Sequence, residues 1–480
     1  MVFNSLSFVI FFAVVFFIYY FVLNGRTKWQ NGLLLIASYF FYGFANWKML
    51  PLMIAVSVIF YFLGFAIGRS RDEKRASFLT TAGVLLGVGI LLYFKYFNFF
   101  IESFRQLLDA IGLSTNLHTF KIIMPLGISF FTFRLMSYLI EINRGHVEPE
   151  KDFVAFATYV SFFPCILSGP IDRPSFISQL HADRPFDYDK AVDGCRQALW
   201  GLFKKLVIAN NIASYIAATW RSLPDSSGSS LMVCAVFYSF QMYSDFSGYT
   251  DMAIGIGKLL GFRITDNFKY PFFAVNVADY WRRWHMSLTS WLTEYVFMPL
   301  NVRFRDLGNL GIILAIMLNM LVVGMWHGAN WTFAFFGLYH GLLFIPLILT
   351  GAFYKKAKIK TVKYGLPCLK DFGRMVLTFS LVTIGLVIFR AESIEQAWQF
   401  LGGMFSSSLF SAPDIDKRIV LLGCFILLLV VVEWNQRRKP HALDLSGVKS
   451  HVVKYAIYAA LFMFIMVFST DSSEFIYFQF

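Results

Sequence analysis

Charged residues are scarce in this chain, and the signatures of several common enzyme classes are missing. Asp, Glu, Lys and Arg make up only 15% of the 480 residues, whereas a soluble domain carries about a quarter. The five cysteines show no Cys-x-x-Cys spacing, which favours small buried side chains over disulfides or metal ligands. The sequence contains no Gly-x-x-x-x-Gly-Lys loop, no His-Glu-x-x-His and no Gly-x-Ser-x-Gly. These absences disfavour a soluble protein, a phosphate-driven pump, a zinc protease and a serine hydrolase.

Apolar residues dominate instead. They make up 57% of the chain, 57 residues are Phe, and the mean hydropathy is +0.60. Because about 20 helical residues cross a bilayer, the apolar segments predict roughly eleven to thirteen membrane helices. The N-terminal run lacks a basic region and a cleavage pattern, so we expect a first span rather than a removed signal. The predicted spans are 2–23, 31–45, 49–68, 78–100, 122–142, 153–170, 231–260, 310–326, 331–352, 372–390, 418–434 and 452–470, with a weaker one at 197–218 that Lys204 and Lys205 interrupt.

Basic residues concentrate in short loops between the predicted spans. The net charge is +13 and the pI about 9.4, with clusters at 69–75, 355–363 and 437–439. Basic loops that flank membrane spans typically face the cytoplasm and its anionic lipids. This rule places loops 24–30, 69–77, 355–371 and 435–451 in the cytoplasm and both chain ends outside. It also favours membrane lipid, rather than nucleic acid, as the partner of the positive charge.

Residues 262–305 alternate aromatic and charged side chains. The segment is too polar for a lipid-facing span and too aromatic for a plain loop. We expect helices that lie at the interface or re-enter the protein, where irregular backbone is tolerated if it is shielded or lines a cavity. The predicted architecture is therefore one all-α, membrane-embedded domain over residues 1–480.

His327 is the sharpest candidate for a catalytic group. It lies between two apolar segments, in GMWHGANW, with no charged residue nearby in the sequence. Ionisable groups at membrane depth are costly, and the near-neutral pKa of histidine suits a general base that takes a proton from a hydroxyl. Trp326 and Trp331 would wall such a site, and Asn330 could donate to a developing oxyanion. The alternative is a neutral histidine that bonds a neighbouring helix. His340 is interpreted as structural, because thirteen residues span about 20 Å of continuous helix.

A second histidine, His285, follows the run Trp281-Arg282-Arg283-Trp284. The arginine pair could bind an anion such as the phosphates of a coenzyme, with Trp281 beside it. The alternative is an interfacial belt of tryptophan and arginine.

A third cluster is QMYSDFSGYTDMAIGIGK, which places Asp245 and Asp251 inside an apolar stretch, with Ser247 and Tyr249 between them. These four are candidates for substrate binding. Two carboxylates there could also form the proton relay of a transporter, or orient a histidine from behind. The sequence leaves these alternatives open.

Long motifs in one order give the chain a resemblance to the membrane-bound O-acyltransferase superfamily, in its bacterial alginate-acetylating branch. They are MVFNSLSFVIFF, PLGISFFTFRLMSYLIEINRG, FFPCILSGPIDRPSFISQL, YSDFSGYTDMAIGIGKLLGF, DYWRRWHMSLTSWL and GMWHGANWTFAFFGLYHG. The resemblance spans nearly the whole length. It implies a multi-helix membrane fold with a central tunnel, in which the family's invariant histidine falls on His327 and its second position on His285. Small departures are Arg134 and Cys165, where glutamine is expected, and Ser168, where alanine is usual.

The resemblance also implies a reaction. Acetyl-CoA would dock from the cytoplasm, near Arg282 and Arg283, and no metal or prosthetic group would be needed. The acetyl group would pass outward to an extracytoplasmic SGNH-type acetyltransferase that decorates an exopolysaccharide or peptidoglycan. The aromatic tail EFIYFQF could help this hand-off through the Tyr477 hydroxyl, or could serve only as an interfacial anchor. D-Alanyl transfer to teichoic acid is the nearest alternative.

Overall fold

The structure, a computed structural model, describes residues 1–113, 118–414 and 417–470 and consists almost wholly of helices. It is 75% helical, and β-structure among the described residues is limited to an isolated bridge between Thr361 and Pro367. The all-α, polytopic prediction is confirmed. Seven described helical stretches are long and apolar enough to cross a membrane: Thr27–Arg69, Glu73–Ala110, Asn309–His327, Trp331–Leu349, Leu369–Arg390, Lys417–Gln436 and His451–Phe468.

The chain divides into two compact units. The divisions fall after residues 195 and 252, each within a helix, and after residue 265. The first unit comprises residues 1–195 and 253–265. Its helices are α1 (Leu6–Phe17), α2 (Thr27–Asn46), α3 (Leu50–Arg69), α4 (Glu73–Leu91), α5 (Phe97–Ala110), α6 (Ile128–Asn143), α7 (Phe153–Ser161), α8 (Ile177–His181) and the first part of α9 (Tyr188–Leu202).

The second unit comprises residues 196–252 and the chain from 266 onward, and it holds both candidate histidines. A π-helical turn, Phe203–Ala209, joins α9 directly to the next helix. The helices of this unit are the last part of α9, α10 (Asn210–Arg221), α11 (Gly228–Leu259) up to residue 252, α12 (Val277–Trp281), α13 (Met286–Leu292), α14 (Met298–Arg303), α15 (Asn309–His327), α16 (Trp331–Leu349), α17 (Leu369–Arg390), α18 (Ile394–Met404), α19 (Lys417–Gln436) and α20 (His451–Phe468).

Two predicted spans, 122–142 and 153–170, differ in the structure, the first because helix α6 begins only at Ile128. The segment 153–170 is not one helix, because α7 ends at Ser161 and the chain then turns through Pro164, Gly169 and Pro170. Proline and glycine break a helix even in an apolar run, and length alone does not reveal this. Residues 197–218, the weaker prediction, are helical throughout. The segment 262–305 begins with turns and the short helix α12, and then forms one continuous helical stretch over residues 286–303, in which a π-helical turn joins α13 to α14. This stretch is not among the helices that are apolar enough to cross a membrane.

Helices α15 and α16 form a close hairpin around two glycines. A Cβ atom added to Gly324 would lie 2.1 Å from the carbonyl oxygen of Phe333, and one on Gly337 would lie 2.3 Å from that of Met320. Both distances are far shorter than any real contact, so only glycine permits this approach. The hairpin fixes where α15 ends, and His327 is its last residue.

We expect Gly337→Ala to push the two helices apart and to cost about 1–3 kcal/mol or more of stability, as overpacking does. The midpoint of thermal aggregation in detergent would measure the loss. The matched control is Gly373→Ala in α17, where an added Cβ meets nothing within 4 Å. Equal stability of the two variants would contradict the close crossing.

Candidate active site

His327 lies where the α15–α16 hairpin turns. It is only 6% exposed. Its ring packs edge-on against Trp326, Phe336 and Phe389, with centroid distances of 5.0, 6.2 and 5.0 Å. Trp331, which the sequence suggested as a second wall, is 58% exposed at the start of α16. The described rings around this imidazole therefore come from three helices, α15, α16 and α17.

His285 has an unusual backbone conformation. Its φ is +45°, and among the described residues only one other non-glycine residue, Tyr270, has a positive φ. Such a conformation disfavours an L-residue and persists only where the surroundings hold it. One restraint is the backbone of Asn267, whose carbonyl accepts a 2.8 Å hydrogen bond from the amide of Met286. Strain held at a buried ionisable residue is typical of a functional position.

The side chain of Asn267 fixes which nitrogen of His285 carries the proton. Its Oδ1 accepts from the backbone amide of Ser287 at 3.2 Å and from the Ser287 hydroxyl at 2.7 Å. A backbone amide can only donate, so this end of the Asn267 amide must be oxygen. The Nδ1 atom of His285 lies 3.1 Å from the same oxygen and must therefore donate to it. In the neutral ring, the basic lone pair is then on Nε2.

The indole of Trp326 connects the two histidines. Its ring lies 5.4 Å from His285 and 5.0 Å from His327, between centroids. Phe246 of α11 packs edge-on against His285 at 4.7 Å. The structure thus brings together the two histidines that the sequence singled out, although they lie 42 positions apart in the chain.

His340 is closer to this cluster than its position in the sequence suggested. Helix α15 ends at His327, so α16 folds back along it. The ring of Phe336 packs against both His327 and His340, and its centroid lies 4.7 Å from that of His340. The indole Nε1 of Trp281 donates to His340 Nδ1 at 3.3 Å. Both partners of this bond are buried. The predicted coenzyme-binding Trp281 therefore supports the wall formed by α16.

The two arginines before His285 are engaged with the protein. Arg283 pairs with Asp279 one turn earlier, at 3.0 Å. Arg282 donates to the carbonyl oxygens of Phe353 and Lys355 at 2.7 and 3.4 Å. Its guanidinium thus holds the backbone of the loop after α16, while its side chain remains exposed.

The two aspartates of α11 pair with the two lysines that interrupt the weaker predicted span. Asp245 lies 2.6 Å from Lys205, and Asp251 lies 2.7 Å from Lys204. Lys204 also donates to Ser247 at 2.8 Å. All of these lysine and aspartate side chains are largely buried, with at most 17% exposure. The opposite charges therefore compensate each other where an isolated charge would be costly.

Two further residues extend this polar cluster towards α19. The Tyr243 hydroxyl lies 2.9 Å from both carboxylate oxygens of Glu433, which is buried. The ammonium of Lys204 lies 5.4 Å from the centre of the Tyr243 ring. Tyr249, another predicted binding residue, is also buried.

Asn330 and Tyr477 complete the predicted set. Asn330 caps α16: its side-chain oxygen accepts from the Thr332 amide at 3.1 Å, and its Nδ2 donates to the carbonyl of Glu392 at 2.9 Å. Its side-chain amide thus joins two helix termini. Tyr477 lies outside the described residues, so the predicted hand-off stays a prediction.

Arg134, a departure from the expected family pattern, is part of a buried backbone clamp in the first unit. It is 1% exposed and donates to the carbonyl oxygens of Tyr159, Val160 and Pro170 at 3.1–3.2 Å. Cys165, the second departure, lies fully buried within the turn that these carbonyls flank.

Sequence reasoning missed Asn267, Lys204, Lys205 and Glu433 as parts of the site. The lysines carried a signal, since two cations within an apolar segment require nearby anions. Asn267 carried none, because nothing in DNFKY distinguishes it from a loop asparagine.

Comparison with known proteins identifies the chain. MBOAT, the membrane-bound O-acyltransferase family, matches residues 149–379. A probable alginate O-acetylase, AlgI, of Azotobacter vinelandii is 35% identical over 93% of this chain and 87% of its own length. A peptidoglycan O-acetyltransferase of Helicobacter pylori is 28% identical over 100% of this chain and 98% of its own. A teichoic acid D-alanyltransferase of Streptococcus thermophilus is 30% identical over 61% and 75%, respectively.

The helical membrane fold and these relatives define a multi-pass bacterial membrane enzyme that transfers acyl groups to oxygen. The chain belongs to the membrane-bound O-acyltransferase family.

The buried Lys205–Asp245 pair predicts a specific pattern of stability. Asp245→Asn removes the carboxylate beside the ammonium and should cost about 3–5 kcal/mol, whereas replacing both residues together, Lys205→Met with Asp245→Leu, should restore most of the loss. Thermal unfolding of detergent-purified protein would measure both variants.

A matched control is the pair between Lys258 and Asp193, which has the same 2.6 Å length but is 23% and 35% exposed. Asp193→Asn should cost at most about 1 kcal/mol. A double variant that is folded and inserted but inactive would instead favour a direct catalytic or proton-carrying role for Asp245.

Proposed function

We propose that the protein takes acetyl groups from cytoplasmic acetyl-CoA and passes them across the membrane for O-acetylation of a cell-surface or secreted polysaccharide. The observation that supports this proposal best is the pair of buried histidines packed on one indole, at a break between two membrane helices. The relatives named for alginate and peptidoglycan acetylation cover most or all of this chain. An alginate-like exopolysaccharide or peptidoglycan is therefore the proposed acceptor.

In the proposed reaction, His327 acts as the general base. Its imidazole takes the proton of the acceptor hydroxyl while the oxygen attacks the thioester carbonyl carbon. The new carbon–oxygen bond forms, the carbon–sulfur bond breaks, and the coenzyme thiolate leaves with the electron pair. The imidazolium returns its proton to that thiolate, so the products are the acetyl ester and free coenzyme A. The aromatic rings around His327 exclude water, which protects the thioester from hydrolysis.

His285 is proposed to hold a reactant. Because Asn267 keeps its proton on Nδ1, the Nε2 atom can accept a hydrogen bond from a donor group of the reactant other than the reacting hydroxyl, whose one proton goes to His327. Accepting this bond would orient the reacting oxygen towards the thioester. His285 and His327 would then have different tasks, orientation and proton removal.

Two parts of the proposal concern partners. The acetyl group is proposed to pass to an extracytoplasmic SGNH-type acetyltransferase, with Tyr477 as a possible carrier. The alternative acyl group is D-alanyl, since the teichoic acid D-alanyltransferase is 30% identical. That relative matches only 61% of this chain, against 93% for the alginate O-acetylase, which favours acetyl transfer.

We expect His327→Ala to lower acetyl transfer by at least about a hundredfold, because general-base catalysis contributes roughly that much or more. The measurement is release of labelled acetyl from acetyl-CoA in proteoliposomes supplied with acceptor and extracytoplasmic partner. His451→Ala, at an exposed histidine that begins α20, is the matched control and should retain full activity.

If wild type and His327→Ala transfer label equally, His327 is not the general base. If neither protein uses acetyl-CoA but wild type accepts a D-alanyl donor, the proposed acetyl group is wrong and the proposed active site is retained. Size-exclusion profiles of both proteins must match, so that a folding defect is not mistaken for lost chemistry.

We expect Asn267→Ala to lower kcat about tenfold or more with little change in the KM for donor, because the imidazole of His285 loses the acceptor that fixes its proton and orientation. Asn267→Asp retains an acceptor oxygen and should retain more activity. Steady-state kinetics of both variants test this. If both lower kcat equally while the thermal stability of the protein is unchanged, Asn267 does not act through this hydrogen bond.

A further inference from the structure

A cluster of uncompensated positive charge lies in the loop between α16 and α17. We call residues 352–368 the lysine loop. Its Lys355, Lys356, Lys358 and Lys360 side chains are exposed, and no carboxylate of the described residues pairs with any of the four. Four like charges within six residues repel one another. Their backbone is nevertheless held in place, by three separate anchors.

The first anchor is within the loop and the start of α17. The carboxylate of Asp371 accepts from the backbone amide of Lys360 at 2.9 Å, and its other oxygen lies 3.4 Å from Arg374. The carbonyl of Lys360 in turn accepts from the Cys368 amide at 2.9 Å. The Asp371 carboxylate thus binds a backbone amide and an arginine, and it does not neutralise the lysine ammonium groups of the loop.

The second anchor joins the loop to another basic cluster. The carbonyl oxygen of Gly365 accepts from the indole Nε1 of Trp434 at 3.2 Å and from the guanidinium of Arg437 at 3.0 Å. That guanidinium also lies 3.9 Å above the Trp434 ring. The exposed Arg438 follows directly. The two basic loops that the sequence places on the cytoplasmic side are therefore in contact.

The third anchor leads to the candidate active site. Arg282 donates to the carbonyls of Phe353 and Lys355, and three residues later in the chain stands His285. A loop that only marked membrane orientation would need no such connection, because positive charge alone sets orientation. The position of the lysine loop is instead coupled to the segment that carries a proposed catalytic histidine.

We propose that the lysine loop is a binding site for phosphate groups, and that Arg282 is a positioning residue that sets the loop beside the active site. Ammonium groups without carboxylate partners are suited to phosphate, and a polyanion would relieve their repulsion. The inference rests on the proposed function, in which the donor is a coenzyme that carries a diphosphate and a 3′-phosphate. A phospholipid headgroup offers the same chemistry, and the experiment separates the two sources.

The test variant replaces all four lysines with glutamine. The control replaces Arg69, Arg71, Lys74 and Arg75, four exposed basic residues at the end of α3 and the start of α4, with two carboxylates, Asp72 and Glu73, among them. Calorimetry in neutral detergent would measure binding of coenzyme A and of 3′-dephospho-coenzyme A. We expect wild type and control to prefer coenzyme A, and the lysine variant to bind it about tenfold more weakly at low salt and to lose that preference. In the transfer assay, its KM for acetyl-CoA should rise with little change in kcat.

Binding to nanodisc lipids forms the second arm, with phosphatidylcholine alone or mixed with phosphatidylglycerol. The lysine variant could bind coenzyme A like wild type, but no longer be activated by phosphatidylglycerol or enrich this lipid around itself. The phosphate bound by the loop would then belong to a lipid headgroup. If the lysine variant matches wild type in both arms, the proposal is overturned. A wild type that binds coenzyme A through the lysine loop but transfers no acetyl would contradict the proposed function alone.

Discussion

Compensation of charge inside a membrane determines the construction of the second unit. Lys204 and Lys205 lie on the π-helical turn after α9, and each pairs with one aspartate of α11. The helices approach closely enough for these bonds because Gly201 has no side chain. A Cβ atom added to it would lie only 2.5 Å from the carbonyl oxygen of Gly248. The residue next to Asp245 is Phe246, whose ring packs on His285. The ion pairs therefore hold one wall of the candidate active site, and a change that separates the helices also displaces the ring beside the imidazole.

Much of the fold and the identity of the candidate residues could be predicted from the sequence. Apolar length predicts membrane helices because lipid leaves the backbone no other partner. An ionisable residue in an apolar run is conspicuous for the same reason, which is why His327 and Asp245 could be named in advance. Their partners could not, because each belongs to another helix. Lys205 looked like an interruption of a span, although it is the charge that makes Asp245 tolerable at that depth.

Other differences have local causes. Residues 162–170 do not continue α7, because Pro164 and Gly169-Pro170 disfavour helix. Asn330 precedes a new helix and sits two residues before Thr332, and asparagine is among the best N-caps, so its capping bond was predictable from local rules. Asn267 was not predictable. Asn267 matters because its side chain contacts His285, which lies 18 residues later in the chain and comes close only in the folded protein.

The two histidines differ in their surroundings, and this difference bears on how the proposed reaction could be divided between them. The described rings that pack on His327 belong to tryptophan and phenylalanine, which exclude water from this side chain. His285 has its proton held on Nδ1 by an amide oxygen that accepts two further hydrogen bonds from Ser287. An oxygen so engaged resists reorientation, so the ring of His285 is fixed in tautomer as well as in position. A hydrogen-bond acceptor that is fixed in this way is suited to orienting a reactant, which leaves proton removal from the reacting hydroxyl to His327 in the proposed reaction. In the proposed reaction, orientation and proton transfer therefore belong to separate histidines, both of which pack on one indole.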